Sequence, residues 1–213
     1  MAGVGLVLGS GARDLGIDAG VPIVQRHGDE GYTLPHEIDH VANMRRLLDS
    51  GCDRVLAIGS VGGLREELAP GSFVCPDDFI ALAARPLTAL AGAAAHVVPG
   101  FDEAWRSRVA AAFADAVELR DGGVYWQAEG PRLETKAEIS LIAAHAHVIG
   151  MTVASECVVA RELGLAYAAV CVVDNYANGV AQTELTLEEL EANRAANRET
   201  LARALLAAIP ALV

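Results

Sequence analysis

The sequence predicts an α/β fold, a single domain over residues 1–213 with a central sheet flanked by helices. Short, continuously apolar runs alternate along the chain with segments whose apolar residues recur at helical spacing. Runs that are apolar throughout are typical of strands covered on both faces, as in sheets with helices on either side. The length suits one domain, and hydrophobic residues make up 53% of the chain, enough for a large core.

In the first half of the chain, the runs GVGLVLGSG (3–11) and VPIVQRHG (21–28) are predicted strands that end in glycine or polar residues. A helix is predicted over 36–51, where Gly51 offers a stop and helical spacing is kept by Ile38, Val41, Met44, Leu47 and Leu48. Strands are predicted over 53–64 and 71–82. The following segment, 83–100, is rich in Ala, Gly and Pro and predicts no element.

In the second half, WRSRVAAAFADAV (105–117) has helical character, and GGVYWQAEGP indicates a strand that runs into a turn. The alternation continues with a helix over 136–146, a strand over 147–151, a helix over 151–164 that Gly164 ends, and an apolar strand within 165–179. A long helix over 186–209 closes the chain, with Thr186 and Glu189 as a possible capping box.

The overall charge argues against some classes of binding partner. The formal net charge is −12, which argues against nucleic acid or an anionic membrane surface, because both need a basic face. The four cysteines stand in no CxxC pair and are expected to be buried, reduced thiols. The N-terminal run lacks the pattern of a signal peptide, and no stretch has the length of a membrane span, so we expect a cytoplasmic protein.

Polar residues fall where the predicted strands end. They are Ser10-Gly11, Arg26-His27, Gly59-Ser60, Met151-Thr152 and Asp174-Asn175. Ligands of α/β sheets collect at strand ends, so this coincidence predicts a binding site there. Each cluster also has a plain structural interpretation: a turn for LGSG, a surface ion pair for Arg26 and a turn cap for Asp174-Asn175. LGSGARDLG lacks the GxGxxG spacing, which disfavours an NAD-binding fold.

HEIDH (36–40) fits the zinc-protease pattern HExxH, with His36 and His40 as ligands and Glu37 as the base. Pro35, however, places His36 in the first helical turn rather than in mid-helix, and a third ligand is not obvious. Histidines at a helix surface or interface are therefore favoured. His145 and His147, which flank a helix end, are also expected to be structural.

Taken together, these segments resemble the trimeric purine nucleoside phosphorylase and methylthioadenosine phosphorylase family. The resemblance rests on LVLGSG, on the block from QRHGDEGYTLPHE through GSVGGLREELAPG, on GPRLETKAE, and on VIGMTVASECVVARELG followed by VCVVDNY. It covers most of the chain and implies a mixed, twisted central sheet. It also implies that HEIDH binds no metal, that no cofactor is needed, and that inorganic phosphate is a co-substrate.

The resemblance implies a phosphate site formed by Ser10, Arg26, His27, Ser60 and Thr152. Ser60 stands where the family usually has alanine and binds through its backbone N–H. Met151 would lie under the ribose. Leu133 replaces an aromatic residue that usually packs on the base, and Asp174 replaces a usual threonine.

Glu134 and Asn175 would face the base and assist catalysis. Glu134 also precedes a predicted helix, where a carboxylate would interact favourably with the positive end of the helix dipole and need no further role. The resemblance gives it a second role, because the family has glutamate and asparagine at these positions in 6-oxopurine enzymes. The chemistry agrees: a 6-oxopurine offers N1–H to a carboxylate, whereas adenine offers a lone pair.

At the sugar end, Leu187 falls where 6-oxopurine enzymes place a histidine, and an apolar residue there suits a 5′-methylthio group. The preferred substrate is therefore 5′-methylthioinosine, followed by inosine and guanosine. We expect a homotrimer, with His96 as the hypothesis for a residue contributed by the neighbouring subunit; a surface loop histidine is as good an interpretation. The alternatives are a methylthioadenosine phosphorylase, a purine nucleoside hydrolase and a non-catalytic purine-binding protein.

Overall fold

The computed structural model describes residues 3–13, 15–181 and 185–213. Nine strands in these ranges form one mixed sheet: β1 Gly3–Leu8, β2 Ile23–Gln25, β3 Cys52–Gly63, β4 Phe73–Cys75, β5 Asp78–Ile80, β6 Leu119–Asp121, β7 Val124–Gln127, β8 Val148–Gly150 and β9 Ala166–Tyr176. The helices are α1 His40–Asp49, α2 Glu103–Ala114, α3 Lys136–Ile142, α4 Val153–Glu162 and α5 Leu187–Leu212. The predicted α/β class with a mixed sheet is confirmed.

The two long strands β3 and β9 organise the sheet. They run parallel to each other, and β3 also pairs in parallel with β1 through its first half and antiparallel with β8 through its last residues. Strand β3 thus takes part in both parallel and antiparallel pairings, and the sheet curls around it. The curl gathers the ends of β1, β2, β3, β8 and β9 in one place.

Helices cover both faces of this sheet, as the apolar runs predict. On one face α1 and α4 pack against alternate residues of β3 and β9, including Val55, Ala57 and Ala169. On the other face α2 and α5 pack against the intervening residues, such as Leu56 and Val170. The period-two alternation of strand side chains separates the two cores.

Several predicted bounds are corrected by the structure. The helix predicted from residue 36 begins at His40, because Asp39 caps it through a bond from the Ala42 N–H at 2.8 Å, while Pro35–Glu37 form a short 3₁₀ turn. The strand predicted over 71–82 is two strands, β4 and β5, separated around Pro76. The short strand β6 has no counterpart in the prediction.

Other local expectations are confirmed. Gly51 and Gly164 follow α1 and α4 with φ of 84° and 74°, the left-handed conformation that ends helices. The four cysteines are buried and free. Of the capping box predicted for α5, the Thr186 half is present: its hydroxyl accepts from the Glu189 N–H at 3.1 Å. In the described ranges, no helix is long and apolar enough to cross a membrane.

Candidate active site

A cavity lies where these strand ends meet the start of α5. Residues from well-separated parts of the sequence line it, and they include most of the predicted site: Ser10, Arg26, His27, Ser60, Leu133, Glu134, Met151, Thr152 and Asn175. The structure therefore brings together the phosphate, sugar and base residues that the resemblance implies. Their individual roles remain predictions.

Three predicted residues lie elsewhere. Asp174 stands behind the cavity wall and contacts Ser60, which lines the cavity. Leu187 does not line the cavity and is 66% exposed; Leu185 and Leu190 line it instead. His96 is exposed and lies outside this cavity, so its contribution to a neighbouring subunit remains a prediction.

Arg26, directly after β2, is held by hydrogen bonds to two other elements, α4 and β3. Its Nε and Nη2 donate to the two carboxylate oxygens of Glu156 on α4, at 2.6 and 2.8 Å, and Nη1 donates to the Ile58 carbonyl at 2.8 Å. Only 2% of Arg26 is exposed. The guanidinium is fixed in the cavity wall, and each Nη keeps one further N–H for a ligand.

Glu156 is fully buried and is the anchor of this arginine. It also accepts from the Tyr167 hydroxyl at 2.7 Å. Burial opposes its ionisation, but the charge and hydrogen bonds of Arg26 hold the pKa of Glu156 below its ordinary value. Nearby, burial lowers the pKa of His40 to about 4, so that ring is neutral at physiological pH.

His27 presents a defined tautomer. Its Nδ1 lies 2.8 Å from the Thr33 carbonyl, and a carbonyl only accepts, so Nδ1 carries the proton. Burial lowers the pKa of His27, which favours the neutral ring. The other nitrogen, Nε2, is then an acceptor. Tyr32 stacks on the ring with centroids 4.5 Å apart and also lines the cavity.

The turn after β1 approaches both Arg26 and Ser60 closely. A side chain at Gly9 would overlap Arg26 Nη1 and come within 2.7 Å of the Ile58 carbonyl. A side chain at Gly11 would lie 3.3 Å from Asp174 Oδ2 and 3.4 Å from Ser60 Cβ. Space thus excludes a side chain at Gly9 and leaves little room for one at Gly11, which gives the GSG motif a reason beyond a plain turn.

Thr152 is the N-cap residue of α4, at the positive end of the helix dipole. The backbone N–H groups of Thr152 and Val153 donate to the buried hydroxyl of Tyr125, at 3.2 and 3.3 Å. Tyr125 therefore fixes the start of α4 where Thr152 enters the cavity wall.

A β-bulge accounts for the adjacent polar pair on β9. The register with β3 shifts so that Val61 opposes Val173 while Gly62 opposes Asn175, which leaves Asp174 as the extra residue. Asp174 turns towards α5 and contacts the Ser60 hydroxyl, while Asn175 reaches the cavity. The apolar strand thus delivers two consecutive polar side chains to one region.

The base end is built on the loop before α3. Glu134 precedes Thr135, which forms a full capping box with Glu138, and the Glu134 carbonyl accepts from Asn178 Nδ2 at 3.0 Å. Burial raises the pKa of Glu134, with a smaller contribution from Glu138. Across the cavity, Asn175 uses one N–H for the Tyr176 carbonyl at 2.8 Å and keeps its other N–H and its oxygen.

The lining residues that the sequence did not single out include Tyr32, Asn178, Leu190 and Arg194. Arg194 sits in EANRAANRE, which reads as a solvated helix face, so no local signal marked it. Leu190 and Arg194 are four residues apart and share a helix face, the one available hint. No group of three or more metal-ligating side chains gathers among the described residues.

Fold and site together define an α/β protein with a cavity at the strand ends that Arg26 and several polar side chains line. Residues 15–210 match the Phosphorylase superfamily, and the chain belongs to this family. It is 44% identical over 177 residues to a probable 6-oxopurine nucleoside phosphorylase of Archaeoglobus fulgidus, covering 82% of this chain and 72% of the relative.

A probable S-methyl-5′-thioinosine phosphorylase of Methanothermobacter thermautotrophicus is 36% identical, over 80% of this chain and 61% of its own length. Among solved structures, a methylthioadenosine phosphorylase from Schistosoma mansoni in complex with adenine superposes with a TM-score of 0.84 at 21% identity. That match covers 99% of this chain and 91% of the other, and it confirms the predicted fold.

Proposed function

We propose that this protein catalyses phosphorolysis of a 6-oxopurine nucleoside, giving the free purine and a ribose 1-phosphate. The observation that carries the proposal is that Glu134 and Asn175 line one cavity together with Ser10, Arg26 and Thr152, the residues proposed to bind phosphate. Support also comes from relatives whose names state 6-oxopurine or methylthioinosine phosphorylase activity. The reaction needs no cofactor beyond inorganic phosphate as co-substrate.

In this mechanism a phosphate oxygen forms a bond to C1′ while the bond from C1′ to the purine nitrogen breaks, and its electron pair leaves with the purine. Arg26 and Thr152, which stands at the positive end of the α4 dipole, hold the phosphate against the sugar, which supplies proximity. Because neutral His27 offers a lone pair at Nε2, phosphate binds with a protonated oxygen towards it. Met151 lines the same cavity, and in this proposal it packs under the ribose.

The base is read by Glu134 and Asn175. The carboxylate accepts from N1–H, and the free N–H of the Asn175 amide donates to O6. The Asn175 oxygen accepts from N7 as the departing purine becomes protonated, which stabilises the charge that develops on the leaving group. Adenine would leave an ionised Glu134 facing a lone pair, and such a mismatch is costly in a buried site.

At the sugar end, Leu185 and Leu190 offer apolar surface near the predicted position of Leu187. An apolar wall suits a 5′-methylthio group better than a hydroxyl. 5′-Methylthioinosine is therefore the preferred substrate, and inosine and guanosine come second.

The test is a nucleoside panel at saturating phosphate. We expect methylthioinosine to be cleaved with the highest kcat/KM, and methylthioadenosine and adenosine to be at least about 100-fold poorer than their 6-oxo counterparts. Equal or better cleavage of methylthioadenosine would contradict the roles given to Glu134 and Asn175 and would favour a methylthioadenosine phosphorylase.

The active form is a cytoplasmic homotrimer in this proposal, and His96 reaches the site of the neighbouring subunit. A His96→Ala variant that remains trimeric in analytical ultracentrifugation should show a raised KM for the nucleoside. Wild-type kinetics in such a trimer would remove His96 from the site.

A further inference from the structure

Arg194 is a cavity residue on α5 that the roles above leave unused. Its side chain is 30% exposed, and it follows the buried Leu190 by one helical turn on the same face. Its Nε and Nη2 lie 3.3 and 3.2 Å from Ser60 Oγ, and Nε lies 3.5 Å from Asp174 Oδ2. The guanidinium is therefore held at the cavity wall.

The side chains that hold Arg194, those of Ser60 and Asp174, are already hydrogen-bonded to each other and to Asn197. Ser60 donates its single hydroxyl proton to Asp174 Oδ2, and Asp174 Oδ1 accepts from Asn197 at 2.9 Å. The Ser60 side chain thus has no proton left for an anion. Arg194 Nη1, in contrast, makes no hydrogen bond to any described residue, so it keeps donors for a ligand.

The two guanidinium groups flank the turn that carries Ser10. Gly9 abuts Arg26 Nη1, and Gly11 abuts Asp174 and Ser60, which Arg194 contacts. Arg26 is anchored on α4 and Arg194 projects from α5, the helices that cover opposite faces of the sheet. An anion at the Ser10 turn would lie between cations that come from both faces.

The charges around the Ser10 turn indicate what Arg194 contributes there. The bidentate bond to Glu156 offsets the charge of Arg26. Asp174 places a second carboxylate beside the turn, and a phosphate dianion would be repelled by it unless a cation stands between. Arg194 is the guanidinium at that position that also has unused N–H groups.

We propose that Arg194 is a second phosphate-binding residue, which pairs with Arg26 across the Ser10 turn and is positioned by Ser60 and Asp174. Assigning the anion as inorganic phosphate rests on the proposed function. A guanidinium suits this task because its several N–H groups match the geometry of phosphate oxygens.

The experiment is calorimetric titration of inorganic phosphate into the protein without nucleoside, so it does not depend on turnover. The variants are Arg194→Ala, Asp174→Asn, the double variant with both changes, and Arg203→Ala as the matched control. Arg203 lies exposed on the same helix, outside the cavity. Melting temperatures of all variants show whether each is folded.

We expect Arg194→Ala to raise the phosphate Kd by about tenfold or more, the size of one charge-assisted hydrogen bond. Asp174→Asn should lower the Kd, because it frees the charge of Arg194, and Arg203→Ala should leave it unchanged. The double variant should remain impaired.

Two results would overturn the proposal. One is a wild-type Kd in Arg194→Ala. The other is recovery of the wild-type Kd in the double variant, which would mean that Arg194 only screens Asp174. If phosphate binds through Arg194 while no nucleoside is cleaved, the proposed function fails and this inference stands.

Discussion

The proposed phosphate end and the proposed base end of the cavity are built in opposite ways. At the phosphate end, Arg26 and Thr152 are 2% and 7% exposed, and a buried network rooted in the sheet and α4 fixes Arg26. At the base end, Glu134 and Leu133 lie on a loop, and Leu133 is 45% exposed. The difference implies that, in the proposed function, phosphate binding depends on the stability of the fold, whereas the choice of base rests on a few side chains.

The largest effect is expected when both base-recognition residues are replaced. In Glu134→Ser combined with Asn175→Asp, the acceptor for N1–H and the donor for O6 are both lost. The preference for 6-oxopurine over 6-aminopurine nucleosides should fall by about a thousandfold or more, judged by kcat/KM for inosine and adenosine.

The control for this variant is Glu129→Ser, an exposed residue of the same loop outside this cavity. It should keep the wild-type preference. If the double variant keeps that preference too, other residues choose the base.

Breaking the phosphate end should cost both activity and stability. In Glu156→Gln, the buried charge of Arg26 loses its partner, so the free energy of unfolding should fall by about 3 kcal/mol in urea denaturation. The KM for phosphate should rise by roughly tenfold or more as Arg26 loses its fixed position.

An exposed residue on α5 provides the matched control. Glu199→Gln makes the same chemical change away from the cavity and should be silent in both assays. A stable Glu156→Gln protein with normal phosphate kinetics would show that the buried pair does not serve the site.

A smaller effect is expected from pH at the base end. Burial raises the pKa of Glu134 above its ordinary value of 4.5, so its carboxylate takes up a proton at a higher pH than an exposed glutamate does. Since only the ionised form accepts N1–H, kcat/KM for inosine should decline as pH falls through this raised pKa, approaching about tenfold per pH unit below it.

Dividing the wild-type profile by that of Glu134→Gln cancels the titration of phosphate and of His27. The ratio should retain the acidic limb. A ratio that is independent of pH would mean that Glu134 does not titrate in base recognition.

The smallest effect is expected from a substitution that adds stacking surface at the base end. Leu133→Phe restores an aromatic surface beside the base, and stacking should lower the KM for the nucleoside about two- to tenfold, with no change in the KM for phosphate. Leu141→Phe, an exposed leucine on α3, is the control. An unchanged nucleoside KM in Leu133→Phe would place residue 133 away from the base.

The sequence predicted the sheet, its covering helices and most cavity residues, because continuous apolar strands and glycines at strand ends leave local signals. It could not predict the bulge at Asp174, since an extra strand residue is defined only by the register of β9 on β3. The pairing of Arg26 with Glu156 joins residues 130 positions apart, and the motifs place both residues without stating that they touch.

Arg194 was missed for a related reason. On a helix rich in charged residues, one arginine looks like its neighbours, and only the packing of α5 against β3 and β9 distinguishes it. For Leu187 the prediction missed the cavity by about one helical turn. Leu187 is exposed, whereas Leu190 on the same helix lines the cavity.

The most direct test of the central claim is release of hypoxanthine from methylthioinosine and inosine with and without inorganic phosphate, with the sugar product followed by phosphorus NMR. Phosphorolysis predicts that release requires phosphate and that one sugar 1-phosphate forms for each hypoxanthine. Release that is equally fast without phosphate, with free sugar as product, would contradict the account and identify a hydrolase.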